Sequence, residues 1–82
     1  MTVTNELGMH ARVAAKIAEL ALQATAKLWI TKDNQKVDAA SIIDILSLCG
    51  TKGSCITLTV DEAADIDILN RIEALVKNGF GE

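Results

Sequence analysis

Apolar residues in this chain change their spacing as the sequence proceeds, and the order of those changes restricts the fold more than any other feature. From Ala11 to about Ala24, Val13, Ile17, Leu20 and Ala24 recur at the interval of a helix face, while Arg12, Lys16, Glu19 and Gln23 form the opposite stripe. From Ser54 to Val60 the interval falls to two: Ile56, Leu58 and Val60 alternate with Cys55, Thr57 and Thr59, as in a strand with one covered face. Ile68, Leu69, Ile72, Leu75 and Val76 return to helical spacing, with Gly79 placed as the C-terminal cap and Phe80 placed to fold back onto the helix. Between these patterns, "AKLWITK" (26–32) and "QKV" (35–37) flank the turn-favouring pair Asp33-Asn34 and read as a hairpin. "MTVT" is a short β-prone start ended by residues 5–8, and "SIIDILSLCG" is a short helix with Ser41 and Asp44 at capping-box spacing and Gly50 as its stop. The predicted order is βαββαβα. It implies an α+β fold: a four-stranded antiparallel sheet with three helices on one face and solvent on the other. Trp29, Thr57 and Thr59 are assigned to the outer face, with an inward Trp29 as the alternative register.

Eighty-two residues suffice for one compact domain, expected to span 1–82, and exclude a second. Half the residues are apolar and only 2% aromatic, so the core must be built from Ile, Leu, Val and Ala. No apolar run approaches the roughly 20 residues that span a bilayer, and the N-terminus lacks the order of a secretory signal. A cytoplasmic protein without membrane insertion is expected. A net charge of −3 with scattered basic residues gives no attraction to nucleic acid. Cys49 and Cys55 lie six apart without a CxxC or a second histidine, so they read as reduced thiols, with no metal site and no cofactor.

The only histidine, His10, stands in "NELGMHARVAA", immediately before the first helix. At a helix start the first backbone N–H groups have no intrahelical acceptor and the macrodipole is positive, so an anion is favoured. A simple N-cap or surface role is the plain reading of such a histidine. Three neighbours add to it: Gly8 permits a tight turn, Arg12 brings a forked cation, and Ala11, Ala14 and Ala15 leave room for a partner surface. Together they suit a phosphoryl group carried on an imidazole nitrogen, a ring that is partly uncharged, and hence nucleophilic, at neutral pH. No general base, nucleotide loop or serine-triad signature accompanies it, so the chemistry is that of a carrier and not of a complete enzyme. In the second helix Ile42, Ile43, Ile45, Leu46, Leu48 and Cys49 point all round, so some are exposed, either as a partner surface or as an incompletely covered core.

The whole chain resembles the HPr family, the histidine-containing phosphocarriers of the bacterial phosphoenolpyruvate-dependent phosphotransferase system. "LGMHAR" is similar to the family's active-centre motif, "SIIDILSL" to its regulatory-serine helix, and the "KG" at 52–53 to the residues before its last strand. The resemblance implies the family's open-faced β-sandwich. It also implies phosphorylation of His10 on Nδ1 by phospho-enzyme I, transfer to an enzyme IIA-type acceptor, and phosphate stabilisation by Arg12. Ser41 matches the serine that an HPr serine kinase phosphorylates in many members. The docking residues implied are Lys16, Ile42, Ile43, Leu46 and Cys49, on a monomer.

Val13 stands where the family has proline, and Cys49 stands where a glycine commonly ends the second helix. The C-terminal "KNGFGE" is similar to tails of the family's nitrogen-related branch. Beside the carrier reading stands a regulatory binding module switched at Ser41 without efficient phosphoryl relay. A further alternative is an interaction domain that has kept the fold and lost the chemistry.

Overall fold

The computed structural model describes residues 1–3, 8, 10–48 and 51–81. The expected stop at Gly50 and the docking residue Cys49 lie outside the described residues.

Strands β1 (Leu28–Lys32) and β2 (Gln35–Asp38) pair antiparallel with Lys32 opposite Gln35, leaving Asp33-Asn34 as a two-residue turn. Both turn residues have positive φ, 51° and 67°, as a type I′ hairpin requires, and Asp and Asn are among the few residues that tolerate it. Strand β3 (Thr57–Val60) pairs antiparallel with the other edge of β1, giving the order β2-β1-β3. Of the expected fourth strand at 1–4, the described residues form an isolated bridge between Thr2 and Cys55, while Thr4 and the expected turn at 5–7 lie outside the described residues. The bridge is held by the Val3 N–H on the Ser54 carbonyl and by mutual bonds between Met1 and Ile56, all 2.8 Å. The Val3 carbonyl then accepts from Gly53, whose φ is 92°. That positive φ suits glycine.

Helix α1 (Ala11–Ala21) buries Val13, Ala14, Ile17, Ala18 and Ala21 and exposes Arg12, Ala15 and Glu19. It stops short of Ala24 because the chain tightens: Gln23 and Ala24 donate to carbonyls three residues back. Helix α2 (Ile42–Ser47) is six residues long, and an isolated helix of that length is unstable in water. Burial of Ile45 and the adjoining Leu48 holds it in place. Helix α3 (Ile66–Lys77) is entered through a 3₁₀ turn at Ala63–Asp65 and buries Ile72 and Val76. Both α2 and α3 lie against α1; α3 also meets β3, and α2 meets β2.

The core is aliphatic apart from Phe80: Ile17, Leu28, Ile30, Ile45, Ile56, Ile72 and Val76 are fully enclosed. Each large side chain contributes about 1.5–3 kcal/mol by leaving water. Gly79 and Phe80 both adopt positive φ, 62° and 60°, and this turn folds the Phe80 ring back into the core as the sequence implies. Leu28 and Ile30 take the inner face, so Trp29 points outward opposite Thr59. The Lys36 and Lys27 ammonium groups lie 4.8 and 5.4 Å from its ring centroid, and its indole N–H donates to Asp61 at 3.1 Å.

Asp65 is the one buried charged residue among those described. Its carboxylate accepts from the Thr25 N–H (2.8 Å), the Thr25 hydroxyl (3.0 Å) and the Ala26 N–H (3.0 Å). The start of α3 is thereby fastened to the turn after α1. At the other end, the Lys16 ammonium donates to the Phe80 carbonyl at 3.0 Å. The two ties orient α1 and α3 antiparallel.

Candidate functional site

His10 is the N-cap of α1, with extended backbone (φ −108°, ψ 178°). Its carbonyl accepts the first intrahelical bond, from Ala14 at 2.9 Å, and its N–H donates to the Gly8 carbonyl at 3.1 Å. Gly8 is buried with φ 64°, a conformation that glycine adopts without strain, so the tight approach expected before the histidine is present. The His10 side chain makes no capping bond to the helix. It is half-buried, leaving part of the ring open to solvent.

The N–H groups of Ala11, Arg12 and Val13 precede the first intrahelical bond, so the donors of a helix start follow His10 directly along the chain. No acidic residue lies in the first turn of α1 to offset the positive end of the dipole. Arg12, at the second helical position, is exposed. This assembly favours a dianion next to His10.

Ala14 departs from the expected open surface. It is fully buried, because its position on α1 falls on the same face as Val13 and Ile17, and only Ala11 and Ala15 remain exposed. Lys16 is half-buried and turned toward the C-terminal turn through its bond to Phe80.

On α2, Ser41 is the N-cap, and its Oγ accepts from the Asp44 N–H at 3.2 Å. The Ser41 N–H donates to the Asp38 carbonyl at 3.1 Å, which replaces the reciprocal arm of a capping box. Ile43 is 80% exposed, Ile42 41% exposed, and Leu46 half-buried, whereas Ile45 faces the core. The apolar residues of α2 therefore divide between packing and surface, and that surface lies on a helix adjoining α1.

Sequence reasoning did not single out Asp65. Hydrogen bonding from the Thr25 N–H holds its carboxyl below the ordinary aspartate range; burial opposes this, and the Ala26 N–H and Thr25 hydroxyl reinforce it. Its only sequence signal is an aspartate directly before a helical pattern, which fits an ordinary helix start equally well. Among the described residues no helix is long and apolar enough to cross a membrane.

The family model described as the PTS HPr component phosphorylation site matches residues 1–78. The phosphocarrier protein HPr of Cupriavidus necator is 35% identical over 81 residues, covering 99% of this chain and 91% of that protein. The phosphocarrier protein NPr of Shewanella violacea is 40% identical over 83 residues, covering 100% and 90%. The crystal structure of HPr-C-His from Thermoanaerobacter tengcongensis superposes with a TM-score of 0.92 at 32% identity, covering 100% of this chain and 92% of that one. The relatives are named as carriers and not as catalysts, under both HPr and NPr names. With an antiparallel sheet, three helices and a histidine at the head of the first, this chain belongs to the HPr family of phosphotransferase-system phosphocarriers.

Proposed function

We propose that the chain acts as one domain over residues 1–82, a cytoplasmic monomer that accepts a phosphoryl group on His10 Nδ1 from phospho-enzyme I and passes it to an enzyme IIA-type acceptor. The Nδ1 lone pair forms the N–P bond as phosphorus separates from the donor, and the imidazole keeps its proton on Nε2. Delivery to the acceptor reverses these roles. Arg12 and the first-turn N–H groups hold the phosphoryl oxygens, while the partner proteins supply the remaining catalysis. The observation carrying this reading is the half-buried histidine capping a helix start whose first turn contains no acid.

Docking is assigned to Lys16, Ile42, Ile43, Leu46 and Cys49. Exposure of Ile42 and Ile43 beside α1 supports the α2 part of that surface. A second, regulatory reading adds phosphorylation of Ser41 by an HPr serine kinase. It is favoured by the position of Ser41 as a half-buried N-cap immediately before these exposed isoleucines, where added negative charge would repel an acidic partner surface.

The test is incubation with phosphoenolpyruvate and enzyme I, followed by mass spectrometry for an acid-labile phosphate. His10→Ala is expected to abolish labelling while leaving the circular dichroism spectrum unchanged. Undiminished acid-labile phosphate on a folded His10→Ala variant refutes the assignment.

A further inference from the structure

Lys16 and the C-terminal turn form a contact that the phosphoryl-carrier reading leaves unused. The Lys16 ammonium, on the same α1 stripe as Arg12, donates to the carbonyl of Phe80 at 3.0 Å. Phe80 is a non-glycine residue held at φ 60°, ψ 20°, with its ring enclosed in the core. Its carbonyl is a neutral acceptor, so the bond is weaker than one to an anion. Six residues place the Lys16 Cα about 9 Å along the axis from His10, and side chains on a helix lean back toward its N-terminus. Released from Phe80, a lysine stem has the length to bring its ammonium back toward the first turns, where the proposed phosphate arrives.

We propose that Lys16 is a second phosphate-holding residue, exchanging the Phe80 carbonyl for the phosphoryl oxygens when His10 is phosphorylated. This inference rests on the His10 reading and deepens it. In the unmodified protein the ammonium closes the C-terminal turn onto α1. In the phosphorylated protein a dianion outcompetes the neutral carbonyl, Lys16 swings to it, and the turn loses that bond. The tail next to α1 then differs between the loaded and unloaded states, giving partners a feature that distinguishes them.

Chemical phosphorylation with phosphoramidate tests this without any partner protein. The Nδ1 lone pair forms the N–P bond as the P–N bond of phosphoramidate breaks; its already protonated nitrogen leaves as ammonia, and the imidazole keeps its proton on Nε2. Mass spectrometry locates the phosphate, and the ¹³C resonance of the Phe80 carbonyl reports its hydrogen bond. On phosphorylation that resonance is expected to move to the position it has in unphosphorylated Lys16→Met, and in Lys16→Met phosphorylation is expected to leave it unmoved. Phospho-His10 is also expected to hydrolyse at a different rate in Lys16→Met, with Lys16→Arg restoring the parent rate. An unmoved Phe80 resonance in parent protein that carries phosphate on His10 overturns the Lys16 proposal and leaves the His10 reading standing. Absence of phosphate from His10 after treatment refutes that reading and takes this inference with it.

Discussion

Two isoleucines two positions apart on α2 are expected to differ sharply in what they contribute. Ile45 is fully buried, and Ile45→Ala removes three carbons, about 2.4 kcal/mol at about 0.8 kcal/mol each. The cavity left behind adds to this, and the better helix propensity of alanine offsets up to about 0.5 kcal/mol. A net loss of about 3 kcal/mol follows, against roughly 4–12 kcal/mol of total stability for a chain of this length. The midpoint of thermal unfolding should fall by roughly 12–24 °C. Ile43, at 80% exposure, should tolerate serine within about 0.5 kcal/mol. Urea titrations followed by circular dichroism and by fluorescence of the single tryptophan, Trp29, measure both. Loss of enzyme I binding by Ile43→Ser at unchanged stability would match the docking role proposed for it. The reasoning fails if Ile45→Ala costs less than about 1 kcal/mol, or if Ile43→Ser costs more than about 1.5 kcal/mol.

The Val13→Pro variant restores the proline that the family carries after the arginine. The Val13 N–H precedes the first bond of α1, so proline removes no intrahelical bond; it gains about 0.4–1 kcal/mol from a stiffer unfolded chain, offset because the valine it replaces is fully buried. Stability should change by less than about 1 kcal/mol, while Arg12, now helical, is pushed toward extended backbone. Stopped-flow transfer from enzyme I should accelerate, and a slower variant would show that the valine N–H or side-chain shape serves the site. Asp65, with a depressed folded pKa, contributes stability above the ordinary aspartate pKa of about 4 that is lost as pH falls through the lower folded value. Thermal scans should find Asp65→Asn less stable at neutral pH and flatter across that acid window; an unchanged acid slope would contradict the role given to its three hydrogen bonds.

Local chemistry made much of this molecule readable in advance. Asp33-Asn34, the spacing around Ile17, and the Gly79-Phe80 reversal each act within a few residues, so their pattern survives in sequence. The His10 position was equally accessible, because a helix start and its neighbours are contiguous. Trp29 was ambiguous since Leu28, Trp29 and Ile30 are all apolar; only packing against the helices decides that Leu28 and Ile30 turn inward. The ties made by Asp65 and Lys16 left no pattern because their acceptors and donors lie 39–40 and 64 residues away and include backbone groups. Ala14 was misplaced because small size alone does not tell which flank of a helix a residue occupies.

The uncovered face of the sheet separates the demands on this sequence. Thr31, Thr57 and Thr59 answer mainly to water, and substitution there is free to drift so long as strand geometry is kept. Helix α1 has no such latitude. Val13, Ala14 and Ile17 are committed to the interior, while His10, Arg12 and Ala15 face outward on the intervening positions. A shift of one residue turns the faces of that helix by about 100°, enough to carry Arg12 into the interior and Ala14 to the surface. Insertions and deletions should therefore be rarer in α1 than anywhere else in lineages that retain the carrier, and the inherited variation should collect on the bare side of the sheet.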